Sequence, residues 1–249
     1  MINVVITSGG TSEPIDRVRK ITNSSTGRLG ANIANKLIQR EDIGKIFYIT
    51  TKKAIKPQIG VLVISGLSKK LEIIEIETTL ELKKAVENVL LNNKVDYFIH
   101  AMAVSDYYVD YVSTSSKLAN ELKDSTNFEE TLKNPINKLE KTEKISSYED
   151  NLIVVLKQTP KIIGLIKEIS PNTHLFGFKL LDSVSEEYLI EVASKLRDKN
   201  NCDYVIANDL ENIRSGNHRA LIIDKFGNIE IEENKDNIAT NIANKIREV

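Results

Sequence analysis

Two short polar runs have the residue types and spacing to handle a phosphate. The first is Ser8-Gly9-Gly10-Thr11, and the second is Asn23-Ser24-Ser25-Thr26-Gly27-Arg28-Leu29-Gly30. Paired glycines after an apolar run let the backbone approach a ligand closely, or simply turn the chain. The second run leads into a helical pattern. Backbone N–H groups at a helix start, joined by hydroxyls, make an anion site without net charge. One hydroxyl suffices for an N-cap, and four polar residues before the glycine exceed that need.

Other chemistries fit less well. The glycines are not arranged as G-x-G-x-x-G between strand and helix, and no acidic residue ends the second apolar run, which closes on Thr50-Thr51-Lys52-Lys53. No G-K-[ST] follows either, so neither common phosphate loop is present. His100, His174 and His218 are isolated and Cys202 is the single cysteine. A zinc site and a disulfide framework are therefore not expected, and Cys202 reads as an inert buried thiol. Magnesium would arrive with a nucleotide, held by phosphate oxygens. No serine sits in a nucleophile elbow. Lys144, and the i, i+4 pair Lys195 and Lys199, are further candidates, although such lysines commonly just solvate a surface.

These residues must be positioned by a frame, and the frame is legible. Short β-branched runs at 3–7, 46–50, 71–76, 97–104, 152–156, 174–178 and 204–207 read as strands. Helical spacing appears at 28–40, 79–91, 160–168 (with Pro160 at its first position), 186–199 and 236–247. The alternation predicts an α/β fold: a doubly wound, Rossmann-like, mostly parallel sheet with helices on both faces. Runs at 220–224 and 229–232 predict a C-terminal β-hairpin. In such sheets ligands sit beyond the carboxyl ends of the strands. Those ends are Ser8 to Thr11, Ser105-Asp106, Phe178-Lys179 and Asn208-Asp209, all small or polar apart from Phe178. The chain is expected to form a single domain over 1–249, interrupted by a polar insertion at about 107–150. That insertion is too long for an ordinary connection, which points to a functional flap or a disordered strip.

Composition narrows the partners. The 249 residues are 41% hydrophobic and 28% charged, with a formal net charge of −1 and no tryptophan. No strong field attracts nucleic acid or an acidic membrane, and base-stacking platforms are scarce. No apolar run approaches membrane-spanning length. The first residues run straight into a strand without a basic flank, so a cytoplasmic location is expected.

Taken together, several segments resemble the phosphopantothenate–cysteine ligase family. They are Thr7 to Asp16 with Val18-Arg19, Ile21 to Gly30, Ala101-Met102-Ala103-Val104-Ser105-Asp106-Tyr107, Glu143 to Ser147, Gly177 to Leu180, and Ala207 to Leu210. The resemblance implies that the carboxylate of 4′-phosphopantothenate attacks a nucleotide α-phosphate and that the acyl-nucleotide then meets the amine of L-cysteine. It implies CTP rather than ATP, magnesium, and a homodimer with the insertion as flap or pairing element. By the same resemblance Asn23 holds the acyl-phosphate and Lys144 meets the nucleotide phosphates. Ser24, Ser25 and Gly27 fall where phosphates are cradled, Asp106 near the ribose and Phe178 beside the base, and Gly9, Gly10 and Ala103 join them as nucleotide-binding residues. Lys195 and Lys199 match two further nucleotide contacts. An NAD(P)-dependent oxidoreductase and a non-catalytic nucleotide- or flavin-binding module remain as alternatives on the same sheet.

Overall fold

The computed structural model describes residues 1–58, 66–140, 143–149 and 151–247. Twelve strands are named in chain order: β1 (Ile2–Ser8), β2 (Ser12–Pro14), β3 (Lys20–Thr22), β4 (Ile43–Thr51), β5 (Leu71–Ile76), β6 (Tyr97–His100), β7 (Tyr107–Thr114), β8 (Leu152–Gln158), β9 (His174–Leu181), β10 (Tyr204–Asp209), β11 (Ala220–Asp224) and β12 (Ile229–Glu232). The helices are α1 (Arg28–Ile38), α2 (Thr79–Asn92), α3 (Ser115–Lys123), α4 (Phe128–Lys133), α5 (Ile162–Ile169), α6 (Glu186–Asn200), α7 (Leu210–Arg214) and α8 (Lys235–Lys245).

Eight strands form the main sheet in the order β12-β11-β10-β9-β6-β1-β4-β5. From β5 to β10 every pairing is parallel, and β11 and β12 add the antiparallel edge. Counting only the parallel strands along the chain, the order is the doubly wound 3-2-1-4-5-6, which reverses direction between β1 and β6. Successive β1 side chains show why a β-branched run belongs here. Ile2, Val4 and Ile6 enter the core against α1 and α8, while Val5 enters the opposite core against α2, α5 and α6. A strand buried on both faces must be apolar throughout. On α1, Ile33, Ala34, Leu37 and Ile38 form the buried stripe. On α2, Thr78 and Glu81 form a reciprocal capping box that fixes where the helix begins.

Three readings of the sequence change. The run at 152–156 is a strand, but β8 pairs antiparallel with β7 in a ribbon of its own. Its residues are at most half-buried, which the interior of a parallel sheet does not allow. Residues 107–140 are not a featureless polar strip, since they hold β7, α3 and α4. Pro160 lies outside α5, whose N-cap is Lys161. A second ribbon, β2 with β3, escaped the sequence reading because three-residue strands carry no usable period. Among the described residues no helix is long and apolar enough to cross a membrane.

Gly30 fits α1 against β1 so closely that a Cβ there would lie 2.4 Å from Ser8 Oγ and 2.7 Å from Ser8 Cβ. Gly30→Ala is therefore expected to destabilise the fold by about 1–3 kcal/mol through overpacking. Urea unfolding should show a lower midpoint with an unchanged slope.

Candidate active site

The strand order reverses between β1 and β6, the place where doubly wound sheets hold ligands in a crevice beyond their carboxyl ends. Beyond Ser8 the chain turns at Gly9, whose φ of +94° is natural for glycine. A Cβ on Gly9 would also strike Ala54 and Thr51. The Gly9 carbonyl accepts from Ala103 N–H at 2.9 Å, and Thr11 N–H donates to the Ala103 carbonyl at 3.1 Å. Ala103 thus ties the two strand ends with both of its backbone groups. The close approach at Gly10 is made by the protein's own chain: a Cβ there would fall 1.9 Å from the Asn23 carbonyl oxygen.

Asn23 is held in that crossing. Its N–H donates to the Thr11 carbonyl at 3.1 Å, and its side-chain Nδ2 donates to the Val104 carbonyl at 3.1 Å. One amide hydrogen and the Oδ1 lone pairs remain beyond those bonds. Ser24, Ser25 and Thr26 follow, all exposed. Gly27 caps α1 with φ +74° and no side-chain cap bond. Ser8 Oγ donates to the Gly27 carbonyl at 2.9 Å, so the end of β1 fixes the start of the helix. The first-turn N–H groups of α1 face this edge, where the macrodipole favours an anion.

Lys144 is placed by a clamp that the sequence reading quoted only as part of a motif. Asp16 has a side chain wholly out of solvent. It accepts from Val18 N–H at 2.8 Å, Arg19 N–H at 2.7 Å, the Arg19 guanidinium at 2.6 Å and Ile145 N–H at 3.2 Å. Arg19 Nη2 also donates to the Ile145 carbonyl at 2.8 Å. Ile145 packs with Val109 and Val112, and against Ile15 and Ile21, in a small separate core. Lys144 is exposed beside this anchor and forms no ion pair among the described residues. The β2–β3 ribbon therefore ends at Asn23 and grips the Lys144 segment at its tip. Its base is fixed by Glu13, which accepts from Thr79 N–H and Oγ1 at 2.8 and 2.7 Å.

The remaining candidates divide. Asp106 lies at this edge, 70% exposed, with its carboxylate paired to Lys161 at 2.5 Å. Phe178 lies on β9, partly buried beside the α1-side core. Lys195 and Lys199 are not brought to the edge. From the start of α6 they lie about 14 and 20 Å along the helix axis, toward the opposite end of the sheet. Lys195 is paired with Glu191 at 2.5 Å. The histidines do not gather. His100 is in the core against Thr7 Oγ1 at 2.9 Å, and burial pushes its pKa down to about 4. His174 pairs with Asp203 at 3.0 Å. Among the described residues no three His, Cys, Asp or Glu side chains are grouped to hold a metal ion.

The family described as DNA/pantothenate metabolism flavoprotein C-terminal domain matches residues 1–135 and 136–249. The chain belongs to this family. A solved structure of a DNA/pantothenate metabolism flavoprotein from Streptococcus pneumoniae is 37% identical, with a TM-score of 0.81 over 98% of both chains. A coenzyme A biosynthesis bifunctional protein from Thermococcus kodakarensis is 30% identical over 88% of this chain and 44% of its own length. The chain spans about half the length of the curated relatives it matches. The solved C-terminal domain of such a bifunctional protein shares the fold at 21% identity, with a TM-score of 0.65 over 98% of this chain and 93% of its own.

Within this family domain, the clamp was the least visible feature in the sequence. An Asp three residues before an Arg, in a long polar loop, is the signal that could have found it.

Donation from Arg19 N–H, then from the Arg19 guanidinium and the Val18 and Ile145 N–H groups, holds the Asp16 carboxyl far below the usual carboxylate range, despite its burial. A group with a depressed folded pKa contributes stability above its unfolded pKa and loses it as pH falls through the folded value. Asp16→Asn should therefore be less stable than wild type at neutral pH, and the gap should narrow below about pH 4. Urea titrations across that range check it, and a gap independent of pH would contradict the assignment. Proteolysis should also become faster around residues 143–147 in the variant.

Proposed function

We propose that the protein is a phosphopantothenate–cysteine ligase, acting in coenzyme A biosynthesis through an acyl-nucleotide. The carboxylate oxygen of 4′-phosphopantothenate attacks the nucleotide α-phosphorus and pyrophosphate leaves. The amine of L-cysteine then attacks the acyl carbon, and the nucleoside monophosphate leaves as the C–N bond forms and the amine gives up a proton. The observation that carries this reading is structural: one short ribbon, β2–β3, ends at Asn23 and clamps the segment bearing Lys144. Asn23 stands just before α1, and the same ribbon ties it to the Lys144 segment at its far end. Membership of a pantothenate-metabolism family along the chain supports it independently.

The parts suit these roles. The Asn23 amide hydrogen-bonds a charged acyl-phosphate without titrating, and its anchoring on Val104 means little reorganisation as charge develops. Lys144 brings a cation to the phosphates as the leaving group gains charge. Ser24, Ser25 and the α1 amides cradle phosphate. Asp106 exchanges its exposed Lys161 pair, which is worth little in water, for ribose hydroxyls. Phe178 stands on the neighbouring strand for the base, and CTP is the preferred nucleotide over ATP. Magnesium bound to the nucleotide's own phosphate oxygens would neutralise part of their charge. The reaction as written uses soluble metabolites, consistent with a cytoplasmic enzyme. The insertion serves as flap and as dimer contact. Exposed apolar side chains concentrate there, with Ile136 at 88% and Tyr148 at 96% exposure. Ile136→Asp with Tyr148→Asp should shift the mass measured by light scattering from dimer toward monomer.

Pyrophosphate release with 4′-phosphopantothenate, magnesium and CTP or ATP tests the reaction. Release should require phosphopantothenate, and sustained turnover should require L-cysteine. Lys144→Ala and Asn23→Ala should each lower kcat by about 100-fold or more, with thermal unfolding little changed. A folded protein that releases no pyrophosphate with either nucleotide would sink the proposal.

A further inference from the structure

We propose that Thr159 is a positioning residue for Asp106, fixing the strand end from which that carboxylate reaches a nucleotide. The inference rests on the proposed function only for the role of Asp106.

Asp106 is an exposed side chain on a held backbone. Its carboxylate is 70% exposed, whereas Ser105 before it is buried. The peptide groups around it are bonded in turn. The Val104 carbonyl accepts from Asn23 Nδ2 at 3.1 Å, and Ser105 N–H donates to Thr11 Oγ1 at 2.9 Å. The Ser105 carbonyl accepts from Thr159 Oγ1 at 2.6 Å, and the Asp106 carbonyl accepts from Thr159 N–H at 3.0 Å. Both donors of Thr159 therefore go to the two carbonyls that flank the Asp106 Cα.

Local sequence explains this pairing. Tyr107 on β7 is opposite Gln158 on β8, so the Thr159 N–H continues that ladder by one rung, against Asp106. Pro160 follows. It has no N–H of its own to offer, and it favours an extended conformation at Thr159. The bond to Ser105 comes instead from the Thr159 hydroxyl, which is buried with its residue. Valine at this position would keep the rung and lose the hydroxyl, leaving the Ser105 carbonyl without that donor. Serine would keep both. Two residues on, Lys161 of the same segment pairs with the Asp106 carboxylate. Thr159 thus sets both the carboxylate and its resting partner.

A carboxylate on a fixed stalk needs little further ordering when it accepts from ribose hydroxyls. Loosening the stalk should therefore weaken nucleotide binding, and should do so through Asp106.

The test is a double-mutant cycle read by isothermal titration with CTP and with ATP, in magnesium. It compares wild type, Thr159→Val, Asp106→Ala and the double variant. Thr159→Val should raise the nucleotide Kd by about 10-fold in the wild-type background. In the Asp106→Ala background the same substitution should change it by less than about twofold. Thr159→Ser should stay within about twofold of wild type. In turnover, Thr159→Val should raise the nucleotide KM with kcat little changed. Thr159→Ala makes no steric demand and is read in the same way if valine prevents folding. A threonine that only stabilised the fold would lower the melting temperature and show no coupling to Asp106. The positioning role is wrong if the Kd stays within twofold in folded Thr159 variants, or rises equally in both backgrounds. Wild type that binds neither nucleotide would overturn it together with the ligase reading. Coupled Kd changes in a protein that releases no pyrophosphate would leave the positioning role and remove the ligase reading. Pyrophosphate release without coupling would do the reverse.

Discussion

The carbonyl of Asn23 lies over Gly10, in the place where any side chain at that position would begin. A Cβ there would stand 1.9 Å from the oxygen, far inside van der Waals contact, and the obstacle is backbone that cannot rotate away. Every other feature of the crevice follows from this crossing. It lets Thr11 bond to Asn23 on one side and to Ala103 on the other, so three chain segments meet at one point. It sets Asn23 against the end of β6, where Nδ2 reaches the Val104 carbonyl. It also returns the chain to the end of β1, where Ser8 receives Gly27 and α1 can start.

This arrangement explains how a doubly wound sheet with the dinucleotide strand order can lack the dinucleotide glycine pattern. In that pattern three glycines within six residues make the turn, admit the phosphates and allow tight packing of helix on strand. Here the same physical needs are spread along the chain. Gly9 makes the turn, Gly27 begins the helix with a left-handed conformation, and Gly30 lets α1 lie against Ser8. The residues between them form the β2–β3 ribbon. Fold and fingerprint are therefore separable, and the absent fingerprint was informative about chemistry without being informative about topology.

The frame was legible because burial on two faces demands an unbroken apolar run, and helices on those faces demand a 3.6-residue stripe. β1, β4, β9, β10, α1, α2 and α6 all satisfy one or the other. β8 offered the same unbroken apolar run at 152–156 and so looked like one more strand of the main sheet, although it pairs only with β7. The crevice was legible as a set of small and polar strand ends. What could not be read was the distance along a helix. Lys195 and Lys199 come just before the strand that ends in Asn208-Asp209, yet α6 carries them down the sheet. The Asp16–Arg19 clamp was equally hidden, because its partner Ile145 is more than a hundred residues away and bonds through its backbone, which has no signature in side-chain type.

The clamp also constrains how the chain can move. Ile145 is fixed twice, by hydrogen bonds from the tip of β2–β3 and by packing beneath β7. The small core that receives it shares no residue with the two cores of the main sheet. Independent cores can shift relative to each other at lower cost than a single core can deform, since close-packed interiors resist strain. Closure over a substrate would then carry the ribbon, the insertion and Lys144 as one body, pivoting where the ribbon meets the sheet at Thr11, Glu13 and Asn23. Asn23 sits at that pivot and would hardly move, whereas Lys144 would travel. In the proposed reaction a charged intermediate would thus meet one group already fixed before closure and one delivered by it, and the same motion would exclude water.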